Sequence, residues 1–210
     1  MHLVSLNLGL PETLTCFGKP VRTGGRKQPA PEAFLGVTGF AGDGQADLQN
    51  HGGPDKAACV YVFDHYPYWE QALGGPLEPG AFSENLTLAG VRETEVAIGD
   101  VWQLGAARVQ VSQPRQPCSK LAGRHGRRDL PEMIHATGFS GFYLRVLEPG
   151  LVRAGDPVTL LERDPAGVTV QFVNELLYRQ RADRADFARA LAVAALSEAG
   201  RRAVLKRLKP

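Results

Sequence analysis

Cysteine is scarce. The 210 residues hold three, Cys16, Cys59 and Cys118, with no CxxC spacing among them. That excludes a disulfide scaffold and a zinc knuckle and points to a reducing compartment. Long hydrophobic runs are missing too, since no stretch approaches the roughly 18 uninterrupted apolar residues of a membrane span. The opening Met1-His2-Leu3-Val4-Ser5 lacks the basic-then-apolar pattern of a secretory leader, so a cytoplasmic protein with no membrane partner is expected. Net charge is only +2, which by itself calls for neither nucleic acid nor an anionic surface. The short catalytic signatures fail as well. There is no HExxH and no GxSxG, and Thr23-Gly24-Gly25-Arg26-Lys27 lacks the spacing of a phosphate loop. Gly42-Asp43-Gly44-Gln45-Ala46-Asp47 ends in aspartate where a dinucleotide fingerprint needs glycine. The five histidines are scattered, so a zinc site would have to be assembled across distant segments.

Glycine and proline, by contrast, are abundant. The 24 glycines and 15 prolines make up close to a fifth of the chain, against a usual share of roughly one in eight. With 43% hydrophobic and 22% charged residues, this describes a packed core built from many short strands and turns. Strand patterns occur at His2 to Leu8, Ala57 to Val62, Leu86 to Leu88, Val101 to Leu104, Ala107 to Val111, Gly141 to Leu147 and Pro157 to Leu161. A mainly β fold, a barrel or a sandwich, is the expected architecture. Two helices interrupt it: Asp64 to Leu73, stopped by Gly74-Gly75, and Asp129 to Thr137, with Asp129 as N-cap, Pro131 in the first turn and Gly138 as terminator.

Composition changes after Asp164-Pro165-Ala166-Gly167, dividing the chain into a body, 1–167, and a small helical part, 168–210. A last strand at Val168 to Val170 is expected to lead into helices at Phe172 to Arg181, Asp183 to Ala195 and Ser197 to Leu208. From Asn174 onward nine basic residues face four acidic ones, whereas the body carries 15 basic and 18 acidic. Some 40 residues are too few for an independent core, so this tail docks on the body or on a second subunit, the latter giving a homodimer. Its cations, Arg201, Arg202, Lys206 and Arg207, suit an acidic protein partner; without interleaved aromatic residues they do not suit nucleic acid.

Three segments are dense in polar and glycine residues. Gly42 to Lys56 runs into the apolar stretch at Ala57 and is either a surface loop or a binding loop held at a strand end. Glu84-Asn85 enters the Leu86 strand, where the pair sits on the surface or faces a pocket mouth. Gln113-Pro114-Arg115-Gln116-Pro117-Cys118-Ser119-Lys120 is the sharpest. Two prolines three apart stiffen the backbone, and Arg115, Lys120 and a helical start at Cys118 all favour the thiolate. A thiolate of lowered pKa is a nucleophile, a redox centre or a soft-metal ligand. Cys16 and Cys59 lack such flanks and read as packing residues.

Together these segments resemble the MOSC family, the molybdenum cofactor sulfurase C-terminal domain. The resemblance spans about residues 35 to 163 and rests on Gly42-Asp43 through Ala46-Asp47, His51-Gly52-Gly53-Pro54-Asp55-Lys56-Ala57, Glu84-Asn85-Leu86, Gly99-Asp100 and Gln113 through Cys118. The tail from Val168 is similar to the three-helix domain of the stand-alone bacterial branch of that family, the YiiM type. The resemblance implies a β-barrel of complex topology with a few helices, followed by the helical subdomain. It also implies a bound molybdenum cofactor, Mo-molybdopterin, with Cys118 as the protein's ligand to molybdenum. The implied activity is reduction of N-hydroxylated compounds such as 6-hydroxylaminopurine, with electrons from a separate flavin-containing reductase. Arg115, Lys120, Gln113 and the loop His51-Gly52-Gly53 are then expected to hold the cofactor. Glu84, Asn85 and His51 are expected to bind substrate or relay protons. Two residues depart from the pattern: Ser83 stands where relatives commonly have glycine, and Ser119 where an aromatic is frequent. Two other readings of Cys118 stay open: a non-catalytic carrier of the cofactor or its sulfur, and a cysteine nucleophile with His51 or His125 as base.

Overall fold

The computed structural model describes residues 1–178 and 183–208. The first strand, β1 (His2–Leu8), forms where the apolar pattern predicts it. A register shift between Leu3 and Ser5 turns both Leu3 and Leu6 into the main core, while Ser5 and Asn7 are buried on a polar side. Next come β2 (Glu12–Cys16), β3 (Lys19–Thr23), β4 (Gln28–Ala30), β5 (Glu32–Gly36) and β6 (Gly39–Phe40), none of which the sequence pattern revealed. A short α1 (Leu48–His51) precedes β7 (Ala58–Val62), all five of whose residues are buried. Strand β8 (Leu86–Ala89) runs parallel to β7, and the α2 helix (Tyr66–Leu73) lies on the long crossover that a parallel pair requires.

The remaining body comprises β9 (Val101–Leu104), β10 (Ala107–Pro114), α3 (Ser119–Arg124), α4 (Leu130–Thr137), β11 (Phe142–Glu148), β12 (Gly150–Arg153) and β13 (Val158–Glu162). Eight strands form one sheet in the order β13-β9-β10-β11-β7-β8-β1-β4, beside a β12-β5-β6 sheet and a β2-β3 hairpin. The mainly β expectation holds, but the ladder is open, with β13 and β4 as its edges, rather than a closed barrel. Near the start of β13 only the His2–Pro157 bridge and bonds such as Leu3 N–H to Asp156 O, 3.0 Å, reach β1. Pro157 has no N–H with which to extend that pairing, and three further strands are drawn off into their own sheet.

Helices end where glycine allows a left-handed turn: Gly74 closes α2 at φ 82° and Gly138 closes α4 at φ 76°. Asp129 does not cap α4 through its side chain; its carboxylate pairs with Arg127 at 2.8 Å instead. Val168 to Val170 is not a strand. Thr169 makes a single bridge to Ala97, and Val170 already begins α5 (Val170–Tyr178). The expected extension to Arg181 lies outside the described residues. Helix α6 (Arg184–Ala192) starts at an Asp183 cap and stops earlier than expected, and α7 (Glu198–Leu208) starts at Ser197, whose Oγ accepts from Gly200 N–H at 2.9 Å.

The tail docks on the body. Val170, Val173, Phe187, Ala190 and Val204 share one apolar core with Leu6, Val60, Val109 and Phe142. Arg201 is part of that docking: its guanidinium donates to Leu191 O and Val193 O at the end of α6, at 2.5 and 3.0 Å, instead of facing a partner. A second core, built from Tyr61, Trp69, Phe82, Leu121 and Ile134, underlies α2, α3 and α4. Cys118 packs on its edge, so the segment after β10 is braced by two cores.

Candidate functional site

Strand β10 delivers Gln113 and Pro114 to one end of the large sheet, and the chain then turns through Arg115 and Pro117 to Cys118, the residue capping α3. Arg115 N–H donates to Gly141 O at 3.0 Å, and Leu121 N–H to Cys118 O at 3.1 Å, so both ends of this turn are fixed by backbone bonds. Cys118 lies at the junction of two adjoining cavities. The inner cleft, a narrow space of about 80 Å³, is walled by Lys27, Cys59, Arg115 and Arg124. The outer chamber, of about 460 Å³, extends past Gln113 and Gln116 to Ala199 and Arg202 on α7. Asp47, His51, Lys56, Cys118, Lys120 and Tyr143 line both.

The Cys118 thiol titrates at about 7, well below an ordinary thiol. Burial alone would push it up. That is outweighed by a hydrogen bond from His51, then by the charge of Arg115 and the nearby Leu121 amide. Lys120 contributes less than its position in the sequence suggests, because it faces Asp47 at 3.9 Å. Burial likewise pushes the Cys59 thiol up to about 11, consistent with a packing residue, although it forms part of the cleft wall.

Arg115 is buried and, among the described residues, has no carboxylate within ion-pair distance. Burial works against its charge, but Cys59, Tyr143, Cys118 and Glu84 around it raise its pKa overall. The other cations of the cleft are held differently. Lys27 is buried against Asp43, whose carboxylate also accepts from Gly9 N–H at 2.8 Å and Asn85 Nδ2 at 2.9 Å. Arg124 donates to Gly25 O, Gly80 O and Ser83 Oγ at 2.6, 2.7 and 3.3 Å, tying two loops to the cleft floor. The Lys56 ammonium donates to Asn50 O at 2.5 Å and stands 5.8 Å from the Tyr143 ring centre.

The structure brings Cys118, His51, Arg115, Lys120 and Asn85 to the inner cleft and Gln113 to the outer chamber. Gly52 and Gly53 do not line either cavity. Gly53 sits at φ 95° and accepts from Lys56 N–H, and a side chain on Gly52 would collide with Leu48, so the pair shapes the turn that presents His51 and Lys56. Glu84 is fully buried behind the cleft, where its carboxylate accepts from Tyr66 Oη (2.5 Å), Gly80 N–H (2.8 Å), Phe82 N–H (3.0 Å) and Thr87 Oγ1 (2.7 Å). With four donors already engaged, it fixes the 80–83 turn rather than facing a ligand. Ser83 adopts φ 62°, so the turn keeps the left-handed geometry that glycine would favour. His125 lies away from the thiol, with Nε2 2.9 Å from Ala81 O, which leaves His51 as the histidine beside Cys118.

Lys27, Arg124, Tyr143 and Arg202 were not singled out as site residues. Lys27 follows a Gly24-Gly25 pair, Arg202 was noted only as one of the cations of the basic tail, and Arg124 and Tyr143 stand in unremarkable segments. Among the described residues, no cluster of three or more His, Cys, Asp or Glu side chains forms a metal cage, and no helix is long and apolar enough to cross a membrane.

An open mixed sheet with a cationic cleft around one activated cysteine, closed on one side by three helices, matches a known design. Residues 47–159 match the MOSC domain, and the chain belongs to that family. Residues 168–209 match the YiiM-like 3-alpha helix domain, which places it in the YiiM-type branch. The YflK protein of Bacillus subtilis is 50% identical over 206 residues, covering 98% of this chain and 93% of that protein. The crystal structure of YiiM from Geobacillus stearothermophilus superposes with a TM-score of 0.83 at 40% identity, covering 98% of both chains. A reductase of Gibberella moniliformis is 37% identical over 144 residues, covering 66% of this chain and 25% of that protein.

Proposed function

We propose that this protein is a molybdenum-cofactor-dependent oxidoreductase that reduces N-hydroxylated compounds to amines. The observation that carries the reading is a thiol titrating at about 7 on the wall of a cationic cleft. The residues present fit the cofactor. A soft thiolate suits molybdenum as the protein's ligand. Buried Arg115, which has no carboxylate partner among the described residues, suits the cofactor's phosphate, with Lys27 and Arg124 adding positive field. MOSC membership and the reductase among the relatives support the same class. When bound, the cofactor would supply the electron and oxygen-atom chemistry.

The balance is R–NHOH + 2e⁻ + 2H⁺ → R–NH₂ + H₂O, with electrons from a separate flavin-containing reductase. This chain's residues hold and orient. Arg115 and His51 favour the thiolate of Cys118, Glu84 and Arg124 fix the loops of the cleft, and His51 lies at the junction of the cavities, placed to relay a proton. The body, 1–167, would carry the cofactor, and the helical part, 168–210, would close the outer chamber.

The test is elemental and pterin analysis of protein from a cofactor-competent host, beside Cys118→Ser. About one molybdenum per chain in the parent and its loss in the variant are expected. No metal in the parent, or full occupancy and activity in the variant, would refute the proposal. The His51–Cys118 hydrogen bond favours a second reading, a cysteine nucleophile with His51 as base. That enzyme would stay active when made in a host unable to synthesise the pterin.

A further inference from the structure

We propose that the outer chamber is a phosphate-directed substrate site, in which Lys56, Lys120 and Arg202 hold the phosphate of an N-hydroxylated nucleotide. The inference rests on the reductase reading above and names its substrate class. Three cations from three parts of the chain line this chamber, against a single carboxylate, Asp47. That carboxylate is already committed to capping α1, by bonds from Asn50, and to Lys120.

The nearby acids do not neutralise the rest. Asp55 pairs with Arg145 at 2.9 Å. Glu198 approaches Arg202 only to 3.8 Å, with both side chains more than 70% exposed, a contact worth little. Lys56 and Arg202 therefore face one space as like charges. Burial first, and the charge of Arg202 second, make Lys56 hold its proton less firmly than a free lysine. An anion placed between them relieves that repulsion, and a phosphate offers oxygens to both an ammonium and a planar guanidinium.

Size and position agree. A space of about 460 Å³ accommodates a mononucleotide. Cys118 lies on its inner wall, so a base can reach the thiol side while its phosphate stays with Arg202. Gln116 supplies an amide for the base edge. Arg202 is supplied by α7, which Ser197 ties to the body through Gln113 Oε1 at 2.6 Å.

A phosphate in this chamber can come from the substrate or from the cofactor, and the experiment separates them. Adenosine 5′-monophosphate and adenosine are titrated calorimetrically into protein from a cofactor-competent host and into protein free of pterin. Both forms should bind the monophosphate at least about tenfold more tightly than adenosine. Arg202→Glu should remove most of that preference, Arg202→Lys should keep part of it, and molybdenum content should not change. Equal affinity for the two ligands, or a preference untouched in Arg202→Glu, overturns the proposal. Monophosphate binding seen only without pterin assigns the chamber to the cofactor and also overturns it. If no preparation carries molybdenum but the Arg202-dependent preference persists, the nucleotide site stands and the reductase reading falls.

Discussion

His51 hydrogen-bonds the Cys118 thiol at the meeting point of the two cavities, and this bond is the largest influence lowering the thiol's pKa to about 7. With half the thiol ionised near neutrality, alkylation by iodoacetamide should rise between about pH 6 and 8 and level off above that range. His51→Ala should move the midpoint upward by about one unit and slow alkylation at pH 7 severalfold. An unchanged midpoint would show that Arg115 and the Leu121 amide set the pKa without His51. The competing reactivity of Cys59 is small, since burial holds its thiol at about 11.

Asp43 is the hub behind the inner cleft, where it meets the Lys27 ammonium, Gly9 N–H and Asn85 Nδ2. Asp43→Ala strands a buried lysine charge and should destabilise the fold by about 3 kcal/mol in urea unfolding. Adding Lys27→Met should recover a good part of the loss, because the uncompensated charge leaves with it. Simple additivity of the two substitutions would argue against the pairing.

Glu84→Gln exchanges one carboxylate oxygen for an amide donor that faces groups already donating. The cost should be about 2 kcal/mol, read as a fall in Tm. Because Arg124 joins the 80–83 turn to Gly25, weaker cofactor retention should accompany it even though Glu84 does not line the cleft.

Ser83→Gly should be neutral to stabilising, by up to about 1 kcal/mol, since glycine adopts φ 62° without the clash of a Cβ. The 3.3 Å contact with Arg124 is the only side-chain hydrogen bond given up. A clear drop in stability would mean that this hydroxyl matters more than the backbone strain.

The strands readable from sequence are those with continuous or alternating apolar residues, such as β1, β7 and β11. Those that escaped are short and studded with exposed polar or proline residues, as in Lys19-Pro20-Val21-Arg22-Thr23 and Gln28-Pro29-Ala30. Val168 to Val170 carries β-branched residues and reads as a strand, but packing against the main core makes Val170 the first residue of a helix. Ladder closure was not legible at all, because it depends on how β1 meets Pro157 across the whole chain.

Within the site, Cys118, Arg115 and Lys120 were legible because one stiff segment carries all three. His51 was legible through its glycine neighbours. Glu84 and Asn85 were found as a pair, but whether they face the cleft or sit behind it is decided by the hydrogen bonds of the 80–83 turn and Asp43. Lys27 and Arg202 were beyond reach, since only the tertiary fold brings them near Cys118.

The walls around Cys118 are contributed by segments far apart in sequence, from Leu14 to Arg202. Contacts of such long sequence separation form late, after much loop entropy has been lost. A chain whose α7 has not yet docked can assemble the sheet around β10, but its outer chamber is open on one side. The outer chamber therefore reports on docking: it gains its last wall only when α7 has settled on the body.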